Sequence, residues 1–107
     1  MNGRLPQALA LLPGTGGERD RQVLVHRSRR VEVDAPCGTD TLQPQAQDGL
    51  SRVASGSGVF RHRGERIPFR PGDCLFVPAR HDHRFEQFTD DFVTWALLWG
   101  PQGGESA

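Results

Sequence analysis

Four histidines, two cysteines and a scatter of serines and acids are the side chains of this 107-residue chain with the chemistry for catalysis or ligation. His81 and His83 stand two apart in a polar segment between two apolar runs, Cys74 to Val77 and Phe92 to Trp99. In an extended segment that spacing turns both imidazoles to one side. Imidazoles offer metal ligation or proton transfer near neutral pH. His62 belongs to a different strand, and its side depends on register. Cys74 lies in an apolar run with no charged partner in sequence, so it reads as a small buried residue and not as a nucleophile. Ser55 and Ser57 sit in Ser55-Gly56-Ser57-Gly58, where the glycines supply the positive φ needed for a reversal between antiparallel strands. With no lysine and no following helix, that segment is not a phosphate loop.

The elements that must position these groups are short strands. Pro71-Gly72-Asp73 is a turn, Cys74 to Val77 a strand broken by Pro78, and Phe92 to Trp99 a strand closed by Gly100 and Pro101. The two strands are expected to be joined by a histidine-bearing loop. Gln22 to Asp34 reads as one strand region with an Arg-rich middle, Val23, Val25, Val31 and Val33 recurring at period two. Leu50 to Ala54 is a further strand. Val59 to Arg63 and Arg66 to Phe69 make a hairpin across Gly64-Glu65 with Arg on its outward positions. Seven or eight strands with turn signals every ~8 to 12 residues and no long helical period predict an antiparallel sandwich or barrel. The expected organisation is a mobile or loosely docked arm over residues 1–20 with one helical turn near Gln7 to Leu12, a barrel over 21–101, and a frayed tail over 102–107.

Composition narrows the function classes. Thirteen cationic residues, all arginine, balance thirteen acids, for a formal net charge of zero. A nucleic-acid binder needs a basic excess, so no nucleic-acid partner is expected. The cluster Arg27, Arg29, Arg30 and the cluster Arg61, Arg63, Arg66 are read as solvated strand faces, with an anion site as the alternative. No apolar run approaches the ~20 residues that span a bilayer, and Ala8 to Leu12 is too short for a signal core. The chain reads as cytoplasmic, with no membrane partner and with Cys37 and Cys74 as reduced thiols.

Gly72, Pro78, Arg80, His83 and Gln87, together with Gly38-Thr39-Asp40, Pro44, Asp48 and the Ser-Gly-Ser-Gly turn, resemble the pattern of small single-domain bacterial cupins, over about residues 36–105. The family's second motif carries Gly and Asn where this chain has Arg80 and Gln87. The resemblance implies an all-β fold, an antiparallel double-sheet jelly-roll barrel, and a divalent metal at its mouth held by three histidines and a glutamate. Residue by residue, the first-motif ligand positions fall on Gln43, Gln45 and Gly49, and the motif glycine on Gly56. Only His83 remains of the usual four, and amide oxygens are poor ligands for transition metals. The expectation is therefore no cofactor, or a weakly bound divalent transition metal on His83 with Gln43 and Gln45.

The expected pocket is lined by Gln43, Gln45, Gly49, His83 and Trp95. Trp95 and Trp99 share a strand face, which suits core or a dimer contact as well as a pocket wall. The expected role is a small-molecule binding or accessory module with a degenerate metal site. The alternatives are a metal-dependent oxygenase or isomerase with a site rebuilt around His83, using His81 or Asp40, and a structural homodimerisation module built on the aromatic strands.

Overall fold

The computed structural model describes residues 4–14, 18–38, 40 and 44–105. Among them lie one short helix, α1 (Leu5–Leu9), and eight strands: β1 (Asp20–His26), β2 (Arg29–Asp34), β3 (Asp48–Ser55), β4 (Gly58–His62), β5 (Glu65–Phe69), β6 (Cys74–Val77), β7 (His83–Glu86) and β8 (Val93–Trp99). They form two antiparallel sheets, a five-stranded one in the order β1-β2-β8-β3-β6 and a three-stranded one in the order β5-β4-β7. This is the double-sheet jelly-roll architecture. No described helix is long and apolar enough to cross a membrane.

The run Gln22 to Asp34 is two strands and not one, turning at Arg27 and Ser28. Arg27 takes φ 56°, and β1 folds back on β2 with His26 opposite Arg29. Val23 is a bulge residue, since Gln22 and Leu24 pair with the consecutive residues Glu32 and Val31. The bulge delivers Val23 into a cluster with Ala8, Val33, Ala35 and Val93 that seats α1 on the outer face of the large sheet. The N-terminal arm, expected to be loose, thus carries a helix whose Ala8 is fully buried.

The Ser55 to Gly58 segment does not reverse a hairpin. β3 and β4 belong to different sheets, so this segment carries the chain from one layer to the other. Gly56 sits at φ +81° with Phe92 Cα 2.5 Å from where a Cβ would stand, so both conformation and space demand glycine. The actual hairpin, β4 to β5, turns at Arg63 and Gly64, both at positive φ (50° and 87°), one residue before the expected turn, with His62 opposite Glu65. β7 occupies part of what the sequence presents as a loop, so β6 and β8 are not joined by a loop alone. They lie in one sheet with β3 between them.

Between the sheets, Val53, Phe60, Phe69, Leu75, Val77, Phe85 and Phe92 form the core. Phe92 sits 4.9 Å from both Phe69 and Phe85, ring centre to ring centre. Each such buried ring contributes roughly 1.5–3 kcal/mol from burial. Cys74 is not part of this core: it alternates with buried Leu75 on an edge strand and is exposed, as is Cys37, and both thiols are free. The tail, expected to fray, is hydrogen-bonded out to Glu105, whose N–H donates to Asp48 Oδ2 at 3.1 Å.

Candidate functional site

The large sheet determines what reaches the interior. Along β2, residues two apart share a face, and the register pairs Asp34 with Thr94, Glu32 with Ala96 and Arg30 with Leu98. These face into the barrel, while Val31 and Val33 face outward, toward the α1 cluster. The period-two signal is real, but its apolar half lies under the helix and its acidic half points inside. Arg30, read as part of a solvated face, is half-buried, and its Nε has no hydrogen-bond partner.

Glu32, Asp34, Gln45, Gly49, Ser51, Val77, His83, Phe85, Thr94, Ala96 and Leu98 are among the residues around one cavity between the sheets. The cavity volume is about 40 Å³, room for a few waters or one small head group. Its floor is apolar and its polar groups come mainly from β2, β3 and β8. Gln45, Gly49 and His83, three of the residues singled out in the sequence, meet at this cavity. Gln43 lies outside the described residues. Trp95 does not join them: it alternates with Thr94 and Ala96 and packs outward against the α1 cluster.

Hydrogen bonds within the protein already engage several of the cavity's polar groups. Gln47 Nε2 is committed to the carbonyls of Ser28 and Gly100, both at 2.8 Å. The Thr94 hydroxyl donates to the Arg52 carbonyl at 2.9 Å. Gln45 Oε1 accepts from Arg30 Nη2 at 3.1 Å. His83 Nδ1 lies 3.1 Å from the His81 carbonyl. A carbonyl only accepts, so Nδ1 carries the proton and Nε2 of the neutral ring is the acceptor. His81 itself turns away: its Nδ1 is 2.9 Å from His62 Nε2. Desolvation, with Arg63 and His62 beside it, holds the His81 imidazole below its ordinary value.

Asp34 is the outlier. The residue is only 4% exposed, and its Oδ2 has no hydrogen-bond partner. Burial, then the neighbouring Asp40, Asp20 and Glu32, push its carboxyl up to about 8, against a smaller opposing pull from Arg19. Glu32 is raised in the same direction by burial, partly offset by Arg30. Sequence reasoning passed over both acids, because an acid alternating with valine reads as solvent-facing. The one usable signal was the valine set, which α1 was there to cover. Asp40 is also buried and accepts the Phe85 N–H at 2.9 Å, tying its loop to β7. Asp48, beside the lost glutamate position, is a clamp: its Oδ1 accepts the Ala79 N–H at 2.9 Å.

The two described positions where the cupin pattern carries first-motif ligands, Gln45 and Gly49, offer poor donors for a transition metal. Gly49 has no donor, and the Gln45 oxygen is held by a guanidinium. Among the described residues no group of three or more His, Cys, Asp or Glu side chains is arranged to hold a metal ion. A second depression, lined by Arg61, Arg63, Asp82, Arg84 and Glu86, is open and of mixed charge, and Arg61 is already 3.5 Å from Glu86.

Comparison with solved structures returns the same barrel. A protein of Neisseria meningitidis shares 14% identity at a TM-score of 0.71, covering 94% of this chain and 100% of that one. KdgF from Halomonas sp. shares 17% identity at a TM-score of 0.64, covering 78% of each chain. A cupin 2 conserved barrel domain protein from Salinispora arenicola shares 18% at 0.63, covering 76% of this chain and 74% of that one. At these identities the likeness establishes the fold. A comparison with curated proteins finds no match. Residues 49–105, just over half the chain, match the model of the AraC-like ligand binding domain. The chain belongs to the AraC-like ligand binding domain family, and its two-sheet barrel has the cupin fold.

Proposed function

We propose that this barrel is a small-molecule binding module that holds its ligand between the sheets with protein groups and no resident metal. The observation that supports it most is Asp34, a buried carboxyl with an unpartnered oxygen beside a cavity that Gln45, Gly49 and His83 also line. A buried carboxyl without its hydrogen bonds costs on the order of 1–3 kcal/mol or more, and groups kept at that cost with strongly displaced protonation cluster at functional sites. The apolar floor with a few polar groups is the usual chemistry of a ligand pocket. Two exposed, unpaired cysteines suit a reducing cytoplasmic location.

The test is a thermal-shift screen of sugars, polyols, small carboxylates and small amines against the wild type and Ser51→Phe, which fills the cavity from β3. One chemical class should raise the Tm of the wild type and leave Ser51→Phe unmoved. If no class does so, the reading fails.

One observation favours the metal-dependent enzyme as the second reading. His83 has its ring oriented by the His81 carbonyl, the arrangement that prepares an imidazole for ligation. Close to one equivalent of iron, nickel or zinc in protein purified without added metal would replace the metal-free reading.

A further inference from the structure

We propose that the ligand of this cavity is a small organic cation, a primary amine in its ammonium form, whose head group seats against the carboxyls of Asp34 and Glu32. The inference rests on the binding reading above and adds the charge of the ligand to it.

Charge comes first. The cavity wall carries two acidic side chains, Glu32 and Asp34, and no arginine. Arg30, on the same inward face of β2 but outside the cavity lining, has its Nε 3.9 Å from Glu32 Oε1 and its Nη2 bonded to Gln45. Asp40 and Asp20 add negative potential around Asp34, and Arg19, whose Nε donates to the Ala35 carbonyl at 2.8 Å, opposes them only in part. A cation entering this space meets two carboxyl groups in a partly desolvated setting, where the attraction to a carboxylate exceeds its value in water.

Donor and acceptor balance points the same way. Gln47 Nε2, the Thr94 hydroxyl and His83 Nδ1 have their hydrogens committed to backbone carbonyls. Around the cavity the acceptors Asp34 Oδ2, the Glu32 carboxyl and His83 Nε2 stand beside two donors, the Ser51 hydroxyl and the Gln45 amide nitrogen. An ammonium has three donors and no acceptor, the complement of those three acceptors. Size agrees, since about 40 Å³ takes an ammonium head with an alkyl stem against Val77, Phe85 and Leu98. Binding is linked to protons. Asp34, neutral before the ligand arrives, becomes a carboxylate when the ammonium docks, and its proton leaves to solvent while the ammonium keeps all of its own.

Isothermal titration of the full chain at pH 7 with propylamine and ethanolamine, against 1-propanol and arabinose, in two buffers of different ionisation enthalpy, tests this. The amines should bind one per chain with net proton release, and Asp34→Asn should weaken them by about tenfold or more, the usual scale for losing a charge-assisted hydrogen bond. Circular dichroism confirms that the variant is folded, and Glu32→Gln provides a second variant, expected to weaken binding as well. Propanol binding as tightly as propylamine overturns the proposal, as does unchanged amine affinity in folded Asp34→Asn. If arabinose or propanol binds and the amines do not, the binding function stands and the charge assignment falls. If no probe binds, both fall.

Discussion

Arg30 on β2 donates from Nη2 to the Oε1 of Gln45 at 3.1 Å, so a fixed cation stands against a position where the cupin pattern carries a histidine. A guanidinium cannot be deprotonated at working pH, and it disfavours a divalent ion there while satisfying the amide. The metal-free reading thus draws support from this pair of residues as well as from the loss of donors.

Restoring the donors and removing the cation should restore the metal. Gly49 lies in ordinary backbone conformation, and an added Cβ there would meet its nearest neighbour, the Leu97 carbonyl oxygen, at 3.7 Å. Arg30→Met with Gln45→His and Gly49→Glu therefore presents two imidazoles and a carboxylate without a clash at the glycine. Titration with nickel should show one site of micromolar or better affinity in the variant and none in the wild type. Equal nickel binding by both would contradict this.

The Asp34 carboxyl makes stability depend on pH. Its folded value, about 8 against an ordinary 3.8, means the folded state holds a proton that the unfolded chain has given up. Stability is therefore greatest below the ordinary value, falls as pH rises between the two, and levels off above the upper one. Glu32 is displaced in the same direction. The groups facing Asp34 are Asp40, Asp20, Glu32 and Arg19. Asp34→Asn removes the penalty, so it should be more stable than the wild type at pH 7 by a few kcal/mol, since each pH step of one between the two values costs ~1.4 kcal/mol, with the gap closing toward pH 4. Urea unfolding at several pH values reads this directly. A constant gap would mean the carboxyl titrates normally.

Two glycines separate conformational from steric demand. Gly64 has φ +87° and open space around it, whereas Gly56 has φ +81° and the Phe92 backbone where a Cβ would go. Gly64→Ala should cost about 1 kcal/mol. Gly56→Ala should cost roughly 2–4 kcal/mol, with overpacking added to the backbone cost. Equal losses would mean the sheet crossing at Ser55 to Gly58 relaxes easily.

What the sequence made legible, and what it hid, follows from local and non-local information. The strand runs, the Arg63-Gly64 neighbourhood as a hairpin turn and the barrel class are local signals. Which face of a strand is inside is not, because α1 covers part of the large sheet's outer face: Val33 lies under α1 while Asp34 enters the barrel. Trp95 went to the wrong side for the same reason, whereas Cys74 lies on the uncovered part of the outer face, on the edge strand β6. β7 was hidden because in His83–Glu86 only Phe85 is buried, which leaves no alternation long enough to detect.

The corrected position of Cys74 is simple to check. Both thiols are exposed and unpaired, so a thiol-reactive chromophore should titrate about two groups per native chain without denaturant. One fast group, with the second appearing only on unfolding, would put Cys74 back in the core.

The most direct measurement is a ¹⁵N–¹H spectrum of the labelled protein recorded against the small-molecule panel. A binder should shift the amides of Asp34, Gln45, Ser51, His83 and Thr94, which surround one cavity, and leave Phe76, Leu97 and Trp99 on the outer face of the large sheet unmoved. Shifts confined to that outer face, or no saturable shift with any compound, would contradict the account.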